Sequence, residues 1–183
     1  IGSGKSVVSE LLRLLDVPIY DTDSNAKRLQ TEDAEIRQKF IETLGEECYL
    51  CNGQLNKPFI ANKIFNDRSL LEAVNSIVHP VVKKDFENWA KIKQQKGNNI
   101  VGIESAILFE AKLNKGVDYV WVVDAPIDTR IERAILRDKN KREQIEARIR
   151  NQQTTYKDAD ATIVNDDKHS LIDQVCQLLE KIQ

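Results

Sequence analysis

Four short apolar runs alternate with segments of helical periodicity, and this alternation limits the fold more than any other feature of the sequence. The runs cover residues 17–20, 100–103, 119–123 and 162–164. Each run is continuously apolar rather than alternating with polar residues, which is typical of strands buried on both faces. We therefore predict an α/β fold in which helices cover both faces of a parallel sheet.

Helical periodicity fills most of the remaining chain. We predict helices over residues 5–15 and 24–44, from Pro58 to about Lys96 with an interruption at His79-Pro80, after Pro126, and over 171–182. Gly45 is a helix stop, and Asn52-Gly53 is a turn signal that suits a small hairpin or loop. Because residues 24–96 carry no strong strand pattern, we expect a helical insertion beside the sheet.

The composition excludes several classes of function. The 183 residues include 27 Lys and Arg against 29 Asp and Glu, so the net charge of −2 provides no field to attract nucleic acid or an anionic membrane. Hydrophobic residues make up 41% of the chain, a globular composition, and no run approaches the roughly 18 apolar residues of a membrane span. We expect a cytoplasmic protein that binds small molecules, and we leave its oligomeric state open.

The three cysteines do not suggest the disulfide framework of a secreted protein. Cys48 and Cys51 have the spacing of half a zinc site, but a structural zinc needs four ligands. The other candidates, Cys176, His79 and His169, have no paired ligand spacing. We favour incidental thiols in a reducing compartment over a zinc site or a redox pair.

The segment Gly2-Ser3-Gly4-Lys5-Ser6 matches the second half of the phosphate-loop motif G-x-x-x-x-G-K-[ST]. Glycines let N–H groups converge on phosphate oxygens, and the next helix directs its positive end at the same anion. In such a loop Lys5 reaches the β- and γ-phosphates and Ser6 binds Mg²⁺. The alternative is a glycine-rich turn before an ordinary helix. We favour the nucleotide site because an amphipathic helix and a strand ending in carboxylates follow.

Carboxylates follow predicted strands at the edge where open α/β sheets bind ligands. Asp21 and Asp23 stand at one such end, where we expect them to meet Mg²⁺ and an acceptor hydroxyl whose proton a carboxylate can accept. Alternatively, Asp23 or Ser24 caps the next helix, and with two aspartates both roles can hold. Glu104 ends another strand and either supports the metal through water or is a solvated charge.

Basic residues are concentrated in residues 130–150. The arginines are Arg130, Arg133, Arg137, Arg142, Arg148 and Arg150. One explanation is a solvated helix face, since Asp138, Glu143 and Glu146 offset much of the charge. The other is a lid over the nucleotide, because arginine binds phosphate through paired hydrogen bonds and closure excludes water. Nucleic-acid binding would need interleaved aromatic residues, and this segment has none before Tyr156.

The segment Asn165-Asp166-Asp167-Lys168 is superficially similar to the guanine-binding N-K-x-D motif of GTPases. Its lysine stands at the wrong position, so we reject a GTPase on this basis. A small-molecule kinase and a P-loop ATPase without an acceptor remain. The carboxylates and the arginines favour a kinase, because a nucleotide switch needs no acceptor carboxylate beside the phosphate.

Together these motifs resemble those of the dephospho-CoA kinase family, a group of P-loop kinases that is similar to the nucleoside-monophosphate kinases. The matching segments run through nearly the whole chain. They are Ile1-Gly2-Ser3-Gly4-Lys5-Ser6, Tyr20-Asp21-Thr22-Asp23, Ala26-Lys27-Arg28, His79-Pro80, Leu108-Phe109-Glu110, Arg137-Asp138 with Arg148 and Gln152, Ala159-Asp160, and Ile163-Val164-Asn165. Each segment alone is weak, and their common order and spacing carry the resemblance.

The resemblance implies a three-layer P-loop kinase fold with a central parallel sheet, a helical substrate-binding insertion and a lid. It implies ATP-dependent phosphorylation of the ribose 3′-hydroxyl of dephospho-CoA, the final step of coenzyme A biosynthesis. The nucleotide-binding core would comprise residues 1–23, 99–136 and 159–183, the CoA-binding domain residues 24–98, and the lid residues 137–158. The alternative within this class is a P-loop kinase for a nucleoside monophosphate or another small metabolite.

The resemblance also implies roles for residues of the phosphate loop and the acceptor site. The loop from Ile1 to Ser6 would bind ATP, with Lys5 also catalytic and Ser6 on Mg²⁺. Asp23 would be the base near the acceptor hydroxyl and would contact the substrate, with Asp21 as its neighbour. The choice between the two aspartates stays open at this point.

The remaining roles lie in the lid, the last strand and the CoA-binding domain. Arg137 and Arg148 would clamp phosphates from the lid, and Asn165 would lie near the adenine of ATP. His79 would sit in the CoA-binding domain. Its alternative is a helix-end histidine that fixes the turn before Pro80.

The lack of methionine and the start within a loop motif predict that the natural protein is longer than this chain. The first glycine of the motif would lie two positions before Ile1, after a first strand. We also expect methionines at internal positions, and the short stretch after Gln152 is one place for such residues.

Overall fold

The computed structural model describes residues 1–65, 67–138, 142–150 and 156–182. The helices are α1 (Lys5–Leu14), α2 (Thr22–Glu32), α3 (Ala34–Leu44), α4 (Lys57–Phe65), α5 (Arg68–Gln95), α6 (Ile127–Asp138), α7 (Arg142–Arg150) and α8 (Leu171–Glu180). The strands are β1 (Ile19–Asp21), β2 (Gly102–Glu104), β3 (Trp121–Asp124) and β4 (Ala161–Val164). Gln152 of the predicted lid signature lies outside the described residues.

The chain divides into two compact units. The first, which we call the phosphate-loop unit, comprises Ile1–Ile19 and Ala106–Gln183. The second, which we call the helical unit, comprises Tyr20–Ser105. The domain boundaries expected from the resemblance differ from the boundaries of these two units, and they stay a prediction.

Parallel pairing is confirmed in the phosphate-loop unit. Strands β3 and β4 run parallel, with Trp121 opposite Ala161 and Asp124 opposite Val164. The other described strands, β1 and β2, form a separate two-stranded sheet. The four predicted strands therefore exist, and their ends differ by at most two residues from the apolar runs that predicted them. Such displacement is expected because hydrophobicity marks burial, whereas strand ends depend on backbone pairing.

A hydrophobic cluster joins α6 to α7. Its buried members are Ile131, Ala134, Ile145 and Ile149. Ile1, at the start of the phosphate loop, packs against the same cluster. The isoleucines of α7 lie among many charged residues in the sequence, and the structure buries them completely or nearly so. The basic segment is therefore more than a solvated helix face, since one side of α7 is anchored in a core.

The helical unit corrects the predicted helix over residues 24–44. Two helices, α2 and α3, occupy this stretch and are separated at Asp33, whose backbone is extended (φ −81°, ψ 122°). The Asp33 carboxylate accepts a hydrogen bond from the N–H of Ile36 at 2.9 Å and so caps α3. The predicted stop at Gly45 is confirmed, because this residue ends α3 with a φ of 94°.

The predicted interruption at His79-Pro80 is wrong, since α5 continues through both residues. Pro80 has no N–H to donate to the carbonyl of Ser76, and a proline inside a helix costs about 3 kcal/mol. Val78 and Val82 are buried on either side of it, and burial of each contributes roughly 1.5–3 kcal/mol. Packing therefore outweighs the lost hydrogen bond, and His79 does not stand at a helix end.

A polar cluster fixes the end of β1 within the helical unit. The Tyr20 side chain is 2% exposed and donates a hydrogen bond from its hydroxyl to Asp85 of α5 at 2.6 Å. Arg28 of α2 donates to the same carboxylate oxygen at 2.7 Å. The Tyr20 ring also lies 5.5 Å from the rings of Phe86 and Trp89. Asp85 thereby links β1 and α2 to α5. Its partner Tyr20 is the residue directly before Asp21 in the chain.

We expect Asp85→Ala to lower the free energy of unfolding by about 1–3 kcal/mol, because it leaves the buried Tyr20 hydroxyl without its acceptor. Tyr20→Phe should cost only about 0.5–1.5 kcal/mol, since Asp85 keeps Arg28 as a partner. Urea unfolding of the two variants measures the difference. Glu87→Ala on the same helix is the control and should change stability by less than about 0.5 kcal/mol. An Asp85→Ala loss no larger than that of Tyr20→Phe would contradict this account.

Candidate functional site

Two glycines give the phosphate loop its shape. Gly2 has a φ of 72° and Gly4 a φ of 96°, which is backbone that residues with a side chain rarely adopt. A Cβ at Gly2 would lie 2.2 Å from the main-chain oxygen of Arg130, and a Cβ at Gly4 would lie 2.1 Å from the Nδ2 of Asn165. Both positions therefore require glycine for two reasons, the backbone angle and the closeness of a neighbour.

Arg130, in the first turn of α6, holds the start of the loop. Its Nε donates a hydrogen bond to the main-chain oxygen of Ile1 at 3.0 Å. The same residue presents its own main-chain oxygen to Gly2. Nothing in the local sequence distinguishes Arg130 from the other arginines of the basic segment. Sequence reasoning grouped it with them and gave it no separate role.

Asn165, the residue after β4, holds the other side of the loop. Its side chain is buried, and its Nδ2 donates a hydrogen bond to the main-chain oxygen of Ser3 at 2.9 Å. Ser3 is itself buried, with 6% of its surface exposed. The structure therefore brings Asn165 directly against the loop, and the signal that could have suggested it was a polar residue at the carboxyl end of a strand.

The start of α1 has no side-chain cap. Gly4 is the N-cap residue of this helix and provides no side-chain hydrogen bond to it. Four other helices have such a bond, from Asp21, Asp33, Asp67 and Ser170. Uncapped N–H groups and the helix dipole together favour a phosphate at this end. Lys5 is the first residue of the helix, and Ser6 is exposed in its first turn.

The two arginines predicted for the lid meet on one carboxylate. Arg137 donates to Asp138 from Nε at 2.7 Å and from Nη2 at 3.1 Å. Arg148 donates to the same carboxylate at 3.0 Å. The hydrogen bond from Arg137, assisted by Arg148, lowers the pKa of Asp138, which stays ionised. The local sequence does not reveal Asp138 as the residue that joins the arginines of two different helices.

Positive charge converges on the start of the phosphate loop. The positive charges of Lys5, Arg130, Arg137 and Arg148 all act on the backbone at Ile1. A cation is therefore disfavoured at this point, and an anion is favoured. The structure brings Lys5 and both predicted lid arginines within electrostatic reach of the loop.

In the helical unit the structure assigns the capping role to Asp21. Its carboxylate accepts hydrogen bonds from the N–H of Asp23 at 3.0 Å and of Ser24 at 3.4 Å, and also from the Ser24 hydroxyl. The alternative in which Asp23 or Ser24 caps the helix is wrong, because α2 begins two residues earlier than the periodicity suggested. The Asp23 side chain is left exposed in the first turn of α2.

Thr22 lies between the two aspartates and was not singled out by the sequence. It is 6% exposed, and its Oγ1 lacks a hydrogen-bond partner among the described residues.

His79 is half-buried in the middle of α5, and burial lowers its pKa, so the neutral imidazole predominates at neutral pH. Glu104 is the last residue of β2.

The predicted site residues thus divide between the two units. Ile1 to Ser6, Arg137, Arg148 and Asn165 belong to the phosphate-loop unit, whereas Asp21, Asp23 and His79 belong to the helical unit. Within the first unit the structure groups the loop with Asn165 and the arginines. Within the second it places Asp23 next to its capping neighbour, and His79 lies on a different helix.

The cysteines are free thiols. Cys48 is buried, which raises its pKa, whereas Cys51 is exposed. The described part of the chain holds no group of three His, Cys, Asp or Glu side chains that could bind a metal ion. No helix of the described residues has both the length and the apolar character that crossing a membrane requires.

Comparisons with known proteins agree with the resemblance. A family model described as dephospho-CoA kinase matches residues 1–171. The chain is 40% identical over 182 residues to a dephospho-CoA kinase of Bacteroides fragilis (strain YCH46), covering 98% of this chain and 87% of that protein. A crystal structure of a Thermus thermophilus protein is similar with a TM-score of 0.74 and 28% identity, covering 100% of this chain and 91% of that one. A solved dephospho-CoA kinase from Campylobacter jejuni, at 19% identity and a TM-score of 0.71, shares the fold over 100% of this chain and 92% of that one.

We expect Gly2→Ala to weaken ATP binding by at least about tenfold, because the new Cβ must displace the main chain of Arg130 as well as adopt a left-handed φ. Gly97→Ala is the matched control, since Gly97 has a φ of 92° but nothing within 4 Å of a new Cβ. Isothermal titration with ATP measures both variants. Equal losses of ATP affinity in the two variants, or none in Gly2→Ala, would show that the contact with Arg130 is unimportant.

Proposed function

The chain belongs to the dephospho-CoA kinase family, whose activity is the ATP-dependent phosphorylation of dephospho-CoA in coenzyme A biosynthesis, and from this premise we propose which residues carry out the reaction. The enzyme is a transferase of the kinase type, with ATP as its co-substrate. The acceptor is the ribose 3′-hydroxyl of dephospho-CoA. The observation that carries the proposal is the preformed phosphate loop, with two left-handed glycines and an uncapped helix start.

The finer architecture is part of the same proposal. The chain forms a three-layer P-loop kinase fold, with a nucleotide-binding core, a helical CoA-binding domain over residues 24–98 and a lid over residues 137–158. The parallel pairing of β3 with β4 supports this fold, as does the sequence of strand, turn and helix from β3 to α6. The burial of Ile145 and Ile149 supports a lid that stays anchored to α6.

The loop from Ile1 to Ser6 binds the phosphates of ATP. Its glycine backbone and the start of α1 offer N–H donors to the phosphate oxygens, and Lys5 adds a positive charge. The exposed hydroxyl of Ser6 fits a Mg²⁺ ligand, since Mg²⁺ prefers oxygen donors and accepts few from protein. Bound Mg²⁺ neutralises negative charge on the phosphates during transfer.

Arg137 and Arg148 stabilise the transferred phosphoryl group from the lid. Their bonds to Asp138 use two of the five N–H donors of Arg137 and one of those of Arg148. Asp138 offsets the repulsion between the two cations and keeps them side by side. Further N–H donors on each guanidinium then serve phosphate oxygens, and paired charge-assisted bonds of this kind are the strong ones.

Asp23 orients the acceptor hydroxyl and accepts its proton. Asp21 is committed to the N-terminus of α2 by three hydrogen bonds, whereas Asp23 presents an exposed carboxylate on the first turn. This division of roles favours Asp23 as the base and Asp21 as the residue that positions it. The reaction moves a proton from the 3′-oxygen to Asp23 while that oxygen bonds to the γ-phosphorus of ATP and ADP leaves.

His79 contributes to binding of the CoA moiety. The lowered pKa of His79 supports a neutral imidazole, which both donates and accepts hydrogen bonds.

The protein acts in the cytoplasm on small molecules rather than on nucleic acid. The balanced charge of the chain supports small-molecule partners.

We expect Asp23→Asn to lower kcat by about 10²–10⁴-fold, the usual contribution of a positioned general base, with the Kd for ATP unchanged. Steady-state turnover with ATP and dephospho-CoA gives kcat, and titration of ATP gives the affinity. Glu35→Gln is the matched control, because Glu35 is also acidic and lies in the first turn of a helix of the same unit. It should leave both constants near those of the unmodified enzyme. Equal losses of turnover and ATP affinity in Asp23→Asn would contradict a role at the acceptor.

A further inference from the structure

The side-chain amide of Asn165 is directed at the phosphate loop. Its Nδ2 donates to the main-chain oxygen of Ser3 at 2.9 Å and occupies the space that a Cβ at Gly4 would need. Asn165 is 8% exposed. A side chain buried in this way and bonded to the loop is spent on the protein itself, so it is poorly suited to selecting a nucleotide base.

The main chain of Asn165 is held on several sides. Its N–H donates to the oxygen of Asp124 at 2.8 Å, which extends the pairing of β3 with β4 by one bond. Its carbonyl accepts a hydrogen bond from Nη1 of Arg133 at 3.3 Å. The preceding residue, Val164, is bonded through both its N–H and its oxygen to the amide of Gln174, at 2.8 Å and 2.9 Å. The Asn165 side chain therefore projects from a rigid support.

The planarity of the peptide bond gives these contacts a consequence for the loop. In a trans peptide the carbonyl and the next N–H point in opposite directions. The bond from Asn165 to the Ser3 oxygen therefore turns the Gly4 N–H away from Asn165. The bond from Arg130 to the Ile1 oxygen orients the Gly2 N–H in the same manner. The side chains of Asn165 and Arg130 thus hold two loop carbonyls. The N–H groups of Gly4 and Gly2, which follow these carbonyls in the chain, point to the opposite side.

We propose that Asn165 is a positioning residue for phosphate binding, which acts by holding the Ser3 carbonyl and so orienting the N–H groups of the loop. The proposal rests on the proposed function, in that the loop must bind the phosphates of ATP. It replaces a contact with adenine by a contact with the loop. The affinity for any polyphosphate, with or without a base, then depends on Asn165.

Inorganic tripolyphosphate separates the two roles, because it carries the phosphates of ATP and no base. The KM for ATP and the inhibition constant for tripolyphosphate in competition with ATP are measured for the wild-type chain, Asn165→Ala and Asn165→Asp. We expect both constants to rise together, by about tenfold in the alanine variant, which leaves the buried Ser3 oxygen without its donor. Asp has the shape of Asn and sets a carboxylate against that oxygen, so its effect should be larger. The KM for dephospho-CoA at saturating ATP should stay within about twofold.

Asn98→Ala is the matched control, since the amide of Asn98 also donates to a main-chain oxygen, that of Lys93, at 2.9 Å. It should change neither constant. Both constants are independent of the folded fraction of the enzyme, and the isosteric aspartate variant gives the same test if the alanine variant does not fold.

A rise in the KM for ATP without a rise in the tripolyphosphate constant would overturn the proposal and assign Asn165 to the base. Unchanged constants in both variants would overturn it as well. Failure of tripolyphosphate to compete with ATP in the wild-type chain would instead overturn the phosphate site itself, and this inference with it.

Discussion

The left-handed backbone of Gly2 and Gly4 is the constraint on which the phosphate-loop unit depends. Free glycines would populate many conformations, so the shape must be imposed by neighbours. Arg130 and Asn165 impose it by bonding to loop carbonyls and by filling the space beside each glycine. The loop is thereby organised before ATP binds. The free energy of ATP binding is therefore not reduced by the cost of ordering the loop.

Around the other predicted site residues, too, one residue supports the local structure while another is available to the substrate. In the helical unit Asp21 caps α2 while Asp23 stays exposed, and Asp85 fixes the preceding Tyr20. In the basic segment Asp138 holds the two arginines that are proposed to meet phosphate. In each case a fixed polar residue sets the position of a neighbour whose own groups stay accessible to a substrate.

Local sequence patterns predicted which helices and strands form better than they predicted where these begin and end. The stop at Gly45 was predictable because a left-handed residue there is a property of the glycine itself. The continuation of α5 through Pro80 was not, because α2 and α3, which pack on α5, are distant from it in the sequence. The same reason explains why the sequence identified the phosphate loop but not the contacts of Arg130 and Asn165 with it. These contacts join residues more than 120 positions apart.

The central claim is that this chain transfers phosphate from ATP to dephospho-CoA, and the release of ADP over a panel of acceptors tests it most directly. The panel contains dephospho-CoA, adenosine and cytidine monophosphates, and buffer alone, each with ATP and Mg²⁺. The account predicts ADP release above the buffer rate with dephospho-CoA, and a product phosphorylated on the ribose 3′-oxygen. Release with dephospho-CoA no faster than with buffer, while a nucleoside monophosphate is turned over, would contradict it.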